Sequence, residues 1–246
     1  MALTDDISSW IKNKVKDSGA FGVVIGLSGG VDSAVTAILC KKSFPKHTFG
    51  VIMPCFSNTK DMLHAKELAE KFAIEYKVVE LADIYSSLYQ KLEGREYVEA
   101  EMNLALANLK PRLRMATLYY FANKLNYIVA GTGNKSEAVM GYFTKYGDGG
   151  VDILPLGGLL KREVYQLARE LNVPQEIISK APSAGLWEGQ TDEGEMGITY
   201  EELDKTIEQM ESGHLVEDKS PLVLKIKERM ANSRHKFECP PSFRSS

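Results

Sequence analysis

Leu27-Ser28-Gly29-Gly30-Val31-Asp32-Ser33 stands between the apolar run Phe21-Gly22-Val23-Val24-Ile25-Gly26-Leu27 and a segment of helical character from Asp32 to Lys42. An unbroken apolar run with β-branched residues predicts a strand covered on both faces, as in a parallel sheet. Two glycines let the backbone bend sharply behind it and, having no Cβ, let peptide N–H groups come close to an anion. The following helix directs its unpaired N–H groups and positive dipole end at the same point. Ser28 and Ser33 add hydroxyl donors, so Ser28, Gly29, Gly30, Val31, Asp32 and Ser33 form a candidate phosphate-binding turn. Asp32 places a carboxylate where phosphates are expected, which is repulsive unless a divalent cation lies between. An ordinary glycine-rich strand-to-helix turn is the plainer reading of Gly-Gly alone. Neither GxxxxGK[ST] nor GxGxxG occurs after this strand, which argues against a Walker loop and a dehydrogenase-type dinucleotide site.

The alternation continues outward. Thr48 to Met53 predicts a second strand that stops at Pro54, Lys60 to Phe72 a helix, and Ile74 to Val79 a third strand. Tyr127 to Ala130 predicts a fourth strand and Val151 to Leu154 a short fifth, with a helix following from Leu159 to Leu171. Ile7, Trp10, Ile11 and Val15 set an opening amphipathic helix. The expected fold class is α/β: one domain over residues 1–246, built on a doubly wound parallel five-stranded sheet with helices on both faces. Residues 95–125 predict one long helix, or two broken near Pro111, whose surplus apolar surface suits either a second subunit or the chain's own core. Residues 181–197 hold four glycines and the acidic Glu188, Asp192, Glu193 and Glu195 without periodicity, which predicts a loop. Loops of that length are commonly functional, and residues 182–198 are expected to be flexible. Helical patterns return at Thr199–Met210 and Leu222–Met230.

A formal charge of −3 supplies no basic footprint, so nucleic acid is a poor partner. Cys40, Cys55 and Cys239 form no CxxC pair, which fits reduced thiols rather than a disulfide framework. Charges at Asp5, Asp6, Lys12, Lys14 and Lys16 interrupt any signal-like apolar stretch, and no apolar run reaches the roughly 20 residues that span a bilayer. A cytoplasmic protein with no membrane partner is expected.

Further segments narrow the chemistry. They are Asn108-Leu109-Lys110-Pro111-Arg112-Leu113-Arg114-Met115, Gly131-Thr132-Gly133-Asn134-Lys135-Ser136-Glu137 and Gly141-Tyr142-Phe143-Thr144-Lys145-Tyr146-Gly147-Asp148-Gly149-Gly150. Leu154-Pro155-Leu156 before Lys161-Arg162, and Ala181-Pro182-Ser183-Ala184, complete the set. The Ser28–Ser33 turn is similar to the signature of the ATP pyrophosphatases, which share an adenine nucleotide alpha hydrolase-like fold. With the other segments, the chain resembles the ammonia-dependent NAD synthetases. That resemblance implies ATP as co-substrate, Mg2+, a homodimer, and amidation of deamido-NAD by ammonia to NAD, AMP and pyrophosphate through an adenylate, the last step of NAD biosynthesis. It implies that Gly29, Gly30 and Ser33 hold the phosphates, that Arg112, Thr132, Lys161 and Ser183 contact ATP, and that Asp32 and Glu137 bind the metal. Asn108, Arg114, Tyr119, Lys145, Asp148, Asp152, Glu195, His235 and Lys236 match positions of a deamido-NAD site shared between two subunits. Asp32, Lys161 and Asp148 are the candidate catalytic residues, with Asp148 to hold ammonium or take its proton. Ser183 stands where relatives often carry threonine, and Leu104 where they often carry an aromatic ring.

On the residues alone, plainer readings stand beside these. Arg112 and Arg114, two apart on a helix, face different directions, as two ligand contacts or two unrelated surface charges would. Lys161 near a helix start opposes the dipole, which a neighbouring anion would relieve. With about 20 residues ahead of the first strand there is no room for an ammonia-generating domain, so free ammonia is the expected nitrogen donor. A different ligase with the same turn, or a non-catalytic ATP sensor, are the rival readings.

Overall fold

In the computed structural model, which describes residues 2–98, 103–185, 187, 189–214 and 220–243, four parallel strands lie in the order β3-β2-β1-β4. They are β1 (Val23–Gly26), β2 (Thr48–Ile52), β3 (Glu75–Val78) and β4 (Ile128–Ala130), with Val23 level with both Thr48 and Ile128. Glu188 and residues 99–102 of the expected long helix lie outside the described residues.

The apolar run of β1 is continuous because both of its faces are covered. Val23 and Ile25, with Ile128 and Ala130 of β4, point into a core shared with α1 (Ala2–Asp17), α2 (Val31–Ser43) and α7 (Lys161–Glu170). Val24 and Val129, one residue out of phase, point the other way, onto α4 (Ala82–Glu93) and α5 (Leu104–Leu125). This period of two places helices on both faces of the sheet. A third apolar cluster joins Met140, Met196, Leu203, Ile207 and Ile226 beside the sheet. It belongs to α9 (Asp192–Met196), α10 (Tyr200–Glu211) and α11 (Pro221–Ser233), packed near α6 (Lys135–Val139). Among the described residues the remaining helices are α3 (Thr59–Lys71), α8 (Gln175–Ile178) and a 3-10 turn, Arg234–Lys236, that carries His235 and Lys236.

The expected fifth strand is not formed. Val151–Leu154 makes a single parallel bridge, Ala130 to Ile153, and the sheet has four strands. The Asp152 side chain explains the shortfall: its Oδ2 accepts from Val129 N at 2.7 Å, where a ladder carbonyl would sit. Pro155 then ends the segment, having no N–H to offer.

Three more expectations are adjusted. The long helix starts at Leu104, where the Asn103 side chain accepts from Leu106 N at 2.9 Å, and residues 95–98 are irregular. It runs through Pro111 without a break. Within the expected loop, Thr191 caps the short α9, which ends on Gly197 in the left-handed region. The helix α4, which the pattern did not single out, buries Tyr85 and Tyr89 at an i, i+4 spacing and ends on left-handed Gly94.

Candidate active site

Strand order reverses between β1 and β4, and in an open parallel sheet the crevice at the carboxyl ends of such a pair is the natural ligand site. A cavity of about 810 Å³ opens there, bounded by Gly26–Ser28 after β1 and Ala130–Thr132 after β4. That lies in the upper part of the roughly 300–1,000 Å³ usual for ligand pockets.

The turn after β1 is held by its own hydroxyls. Ser33 Oγ donates to Gly30 O at 2.9 Å and accepts from Ser28 Oγ at 2.9 Å. Gly29 has φ +75°, and a Cβ there would lie 2.3 Å from the Asp61 carbonyl oxygen, so only glycine fits. Gly30 precedes α2 without any side-chain cap. The first N–H groups of a thirteen-residue helix therefore face the cavity with no side chain satisfying them.

Beside this turn lies a compact charged centre. Lys161, at the first position of α7, has its Nζ 2.6 Å from Asp32 Oδ2 and 3.1 Å from Glu137 Oε1, and its side chain is 2% exposed. Asn134 Nδ2 donates to Asp32 Oδ1 at 2.8 Å, while Asn134 Oδ1 caps α6 by accepting from Glu137 N at 3.0 Å. Asp204, buried on α10, accepts from the Ser136 hydroxyl and from Arg162 N, which locks the starts of α6 and α7 together. Tyr200 OH lies 3.4 Å from Glu137 Oε1 and donates to Asp192 Oδ2 at 3.1 Å, and its ring is 4.8 Å from Lys161 Nζ.

The electrostatics follow from that packing. Burial, then the neighbouring Asp32 charge, push the Glu137 carboxyl up to about 7 against the pull of Lys161. Burial works against the Lys161 ammonium, but Asp32 and Glu137 outweigh it and raise its pKa. Burial also raises the Asp192 carboxyl, and Asp192 Oδ1 is buried with no hydrogen-bond partner. Three carboxylates thus share one ammonium, and the centre has room in its charge balance for a cation.

The rest of the cavity wall carries most of the other candidate residues. Thr132, Ser183, Arg112 and Arg114 all line it. Arg112 is exposed, with Nη2 3.5 Å from Lys145 O; Arg114 points the other way, donating to Met53 O and Ser57 Oγ at 3.2 Å each. Asn108 Oδ1 accepts from Thr144 Oγ1 at 2.7 Å, and Asp148 Oδ1 accepts from Thr144 N at 2.9 Å. Lys145 donates to the His235 carbonyl; Lys236 donates to Gly141 O and Phe143 O at 2.7 Å each. Glu195 Oε2 accepts from Tyr142 OH at 2.5 Å. Tyr119 and Asp152 do not line the cavity; they pair with each other at 2.9 Å on the edge of the sheet.

The NAD synthase family model matches residues 3–240. The chain belongs to the NAD synthase family. Among its relatives in that family, the NH(3)-dependent NAD(+) synthetase of Carboxydothermus hydrogenoformans is 51% identical over 237 residues, covering 96% of this chain and 95% of that one. The enzyme of the same name from Archaeoglobus fulgidus is 48% identical over 97% of this chain and 95% of its own length. Of solved structures, the NMN synthetase of Francisella tularensis superposes with a TM-score of 0.88 at 38% identity, covering 98% of this chain and 97% of that one. An NH3-dependent NAD synthetase of Campylobacter jejuni, in complex with the nitrate ion, superposes with 0.82 at 32%, covering 99% and 98%. In this NAD synthase family chain, four residues that pattern reading did not select complete the charged centre: Asn134, Asp192, Tyr200 and Asp204. Asn134 alone carried a local signal, since Asn134-Lys135-Ser136-Glu137 has the spacing of a helix capping box. Asp192, Tyr200 and Asp204 come from segments 58 or more residues downstream of Asn134, so only the fold brings them in.

Proposed function

We infer that this chain amidates deamido-NAD with ammonia, consuming ATP and releasing AMP and pyrophosphate. The observation that carries the reading is the joining of an uncapped helix N-terminus after β1 to the buried Asp32–Lys161–Glu137 centre, in a chain of the NAD synthase family. The phosphates of ATP would lie on the N–H groups of the Ser28–Ser33 turn. The nicotinate carboxylate attacks the α-phosphorus and pyrophosphate leaves; ammonia then attacks the acyl carbon and AMP leaves. Lys161 is placed to meet negative charge gathering on the departing pyrophosphate, fixed in advance by its two carboxylates.

Magnesium fits the residues present. Among the described residues no group of three or more His, Cys, Asp or Glu side chains forms a metal cage. Mg2+ does not need one, since it usually takes one or two carboxylates together with substrate phosphates. Asp32 and Glu137 would hold it, and the unpartnered Asp192 Oδ1 marks the same excess of negative charge. When bound, the ion supplies neutralisation of phosphate charge.

Asp148 is the proposed acceptor of the ammonium proton. Although Asp148 as a residue is exposed, loss of water around the carboxyl where it turns into the cavity raises it above the usual range, the direction a proton acceptor needs, against the pull of the Thr144 N–H. Asp148→Asn, which keeps the acceptor for Thr144 N, is expected to lower turnover about a hundredfold with adenylate formation retained. Pyrophosphate release measured without ammonia separates the two steps, and an equal loss in both would remove Asp148 from the second.

The chain is proposed to act as a homodimer. Leu104 and Tyr120 on α5 and Ile84 and Leu92 on α4 are exposed apolar side chains, the kind of surface a second copy would cover. Tyr119 and Asp152, away from this chain's own cavity, would then serve the shared substrate site. Sedimentation at micromolar concentration should give twice the chain mass, and a monomer would refute this. Residues 182–198, within which Asp192 N is held 3.0 Å from Pro182 O, are proposed as a lid. Thermolysin or chymotrypsin, which cleave beside Leu186 and Trp187, should cut there in the free protein and be blocked by ATP with deamido-NAD; equal cutting in both states would exclude a lid. Among the described residues no helix is long and apolar enough to cross a membrane.

The deciding assay mixes protein, ATP, Mg2+, ammonium and deamido-NAD and looks for NAD, AMP and pyrophosphate in equal amounts. The likeness to an NMN synthetase favours one second reading, amidation of the mononucleotide form of the substrate. A kcat/KM higher for nicotinate mononucleotide than for deamido-NAD would establish it.

A further inference from the structure

We infer that Asp61 and Lys180 are a positioning pair that seats residues 181–185, and with them Ser183, over the phosphate turn, and that Lys180 screens bound triphosphate from the Asp61 carboxylate. The inference rests on the reading that the triphosphate lies on the Ser28–Ser33 turn.

Lys180 Nζ lies 2.5 Å from Asp61 Oδ1 across 119 residues of chain, and the two side chains are 29% and 20% exposed. Such a pair at a cavity wall is less screened than one on open surface. Both ends are anchored. Asp61 sits in the first turn of α3, and its carbonyl oxygen is the atom that forbids a Cβ on Gly29, so it is in direct register with the turn. Lys180 follows α8 by two residues, and Ile177 of α8 packs in the same apolar cluster as Met62, the neighbour of Asp61. Lys180 leads directly into residues 181–185, where Pro182 O accepts from Asp192 N at 3.0 Å. Both side chains line the cavity, and Ser183 lines it three residues on.

The charges make the two partners unequal. A carboxylate next to a triphosphate repels it, and Lys180 cancels that charge. Removing Lys180 both unties the segment and bares Asp61 to the phosphates. Removing Asp61 unties the segment but leaves an ammonium free to face them. Coupled sites of this kind give non-additive losses, whereas independent ones multiply.

The test is calorimetric binding of α,β-methylene ATP with Mg2+, in the absence of deamido-NAD, to wild type, K180M, D61N and D61N/K180M. K180M is expected to bind about tenfold more weakly and D61N within about threefold of wild type. The double variant is expected to bind no more weakly than K180M. In steady state, the KM for ATP should move and that for deamido-NAD should not, a split that general loosening of the fold would not produce. If K180M fails to fold, the exchanged pair D61K/K180D is read instead, and it should bind within about threefold of wild type. Wild-type affinity in K180M, losses that multiply in the double variant, or an exchanged pair as weak as K180M would each overturn the pairing. A wild type that binds no nucleotide at the turn would overturn the reading beneath it, which the wild-type titration reports before any variant is made.

Discussion

Asp32→Asn is expected to lower turnover about a thousandfold while leaving the protein folded. The carboxylate is the only charged group contributed by the phosphate turn itself, and it reaches both Lys161 at 2.6 Å and Asn134 at 2.8 Å. An amide of the same shape can satisfy one of those donors but not both, since its Nδ2 is itself a donor. Lys161 keeps Glu137 as a partner at 3.1 Å, so the ammonium is not stranded. The stability loss should therefore stay near that of one strained buried hydrogen bond, about 1–2 kcal/mol. For a chain of this length that is a fall in Tm of about 5 °C. Activity suffers more, because a metal ligand and the anchor of the pyrophosphate-facing lysine disappear together. Pyrophosphate release with saturating ATP, Mg2+ and deamido-NAD measures the effect. A folded variant turning over at even a tenth of the wild-type rate would show that Asp32 is a packing residue of the turn.

The turn and its strand were legible because they depend on neighbours in sequence. Apolar Val23 to Ile25, glycine at 29 and Asp32 at the helix start each state a local requirement, and the fold meets all three. The same holds for Glu137, whose cap is three residues away. Lys161 was legible as an unfavourable charge at a helix start, and the relief sits 2.6 Å from it on a residue 129 positions earlier. The fifth strand was misread because its alternation looks right; what stops it is one side chain, Asp152, satisfying Val129 N in place of a backbone carbonyl. Periodicity carries no record of such a substitution of partner. Asp192, Tyr200 and Asp204 were invisible for a related reason, reading as an ordinary loop carboxylate and two ordinary helix residues until α10, with α9 ahead of it, is laid across α6 and α7. Tyr119 and Asp152 show the opposite limit: the resemblance places them at a substrate site, and within one chain they bond each other, with Asp152 also holding Val129 N, away from the cavity.

Lys161→Met should separate two roles that the free protein superimposes on one side chain. The ammonium lies between the two carboxylates that would hold a divalent ion, so in the absence of ligand it performs the ion's electrostatic work. Methionine fills the same space among Asp32, Glu137 and the Tyr200 ring but leaves the carboxylates facing one another in a buried centre. Breaking a buried pair in this way costs about 3–5 kcal/mol, because the remaining charge is uncompensated. A Tm lower by about 10 °C is expected. Mg2+ without nucleotide should recover several degrees of that loss, since an ion that binds only the folded state stabilises it by mass action. Wild type should gain little from Mg2+ alone, its ammonium already occupying the place. Turnover should remain low even with Mg2+ restored, as an ion cannot also supply the fixed donor facing the pyrophosphate. Thermal melts of both proteins with and without millimolar Mg2+ decide the matter. Equal responses in the two would mean that the lysine and the ion do not compete, and the charged centre would then be a structural ion pair with the metal held elsewhere.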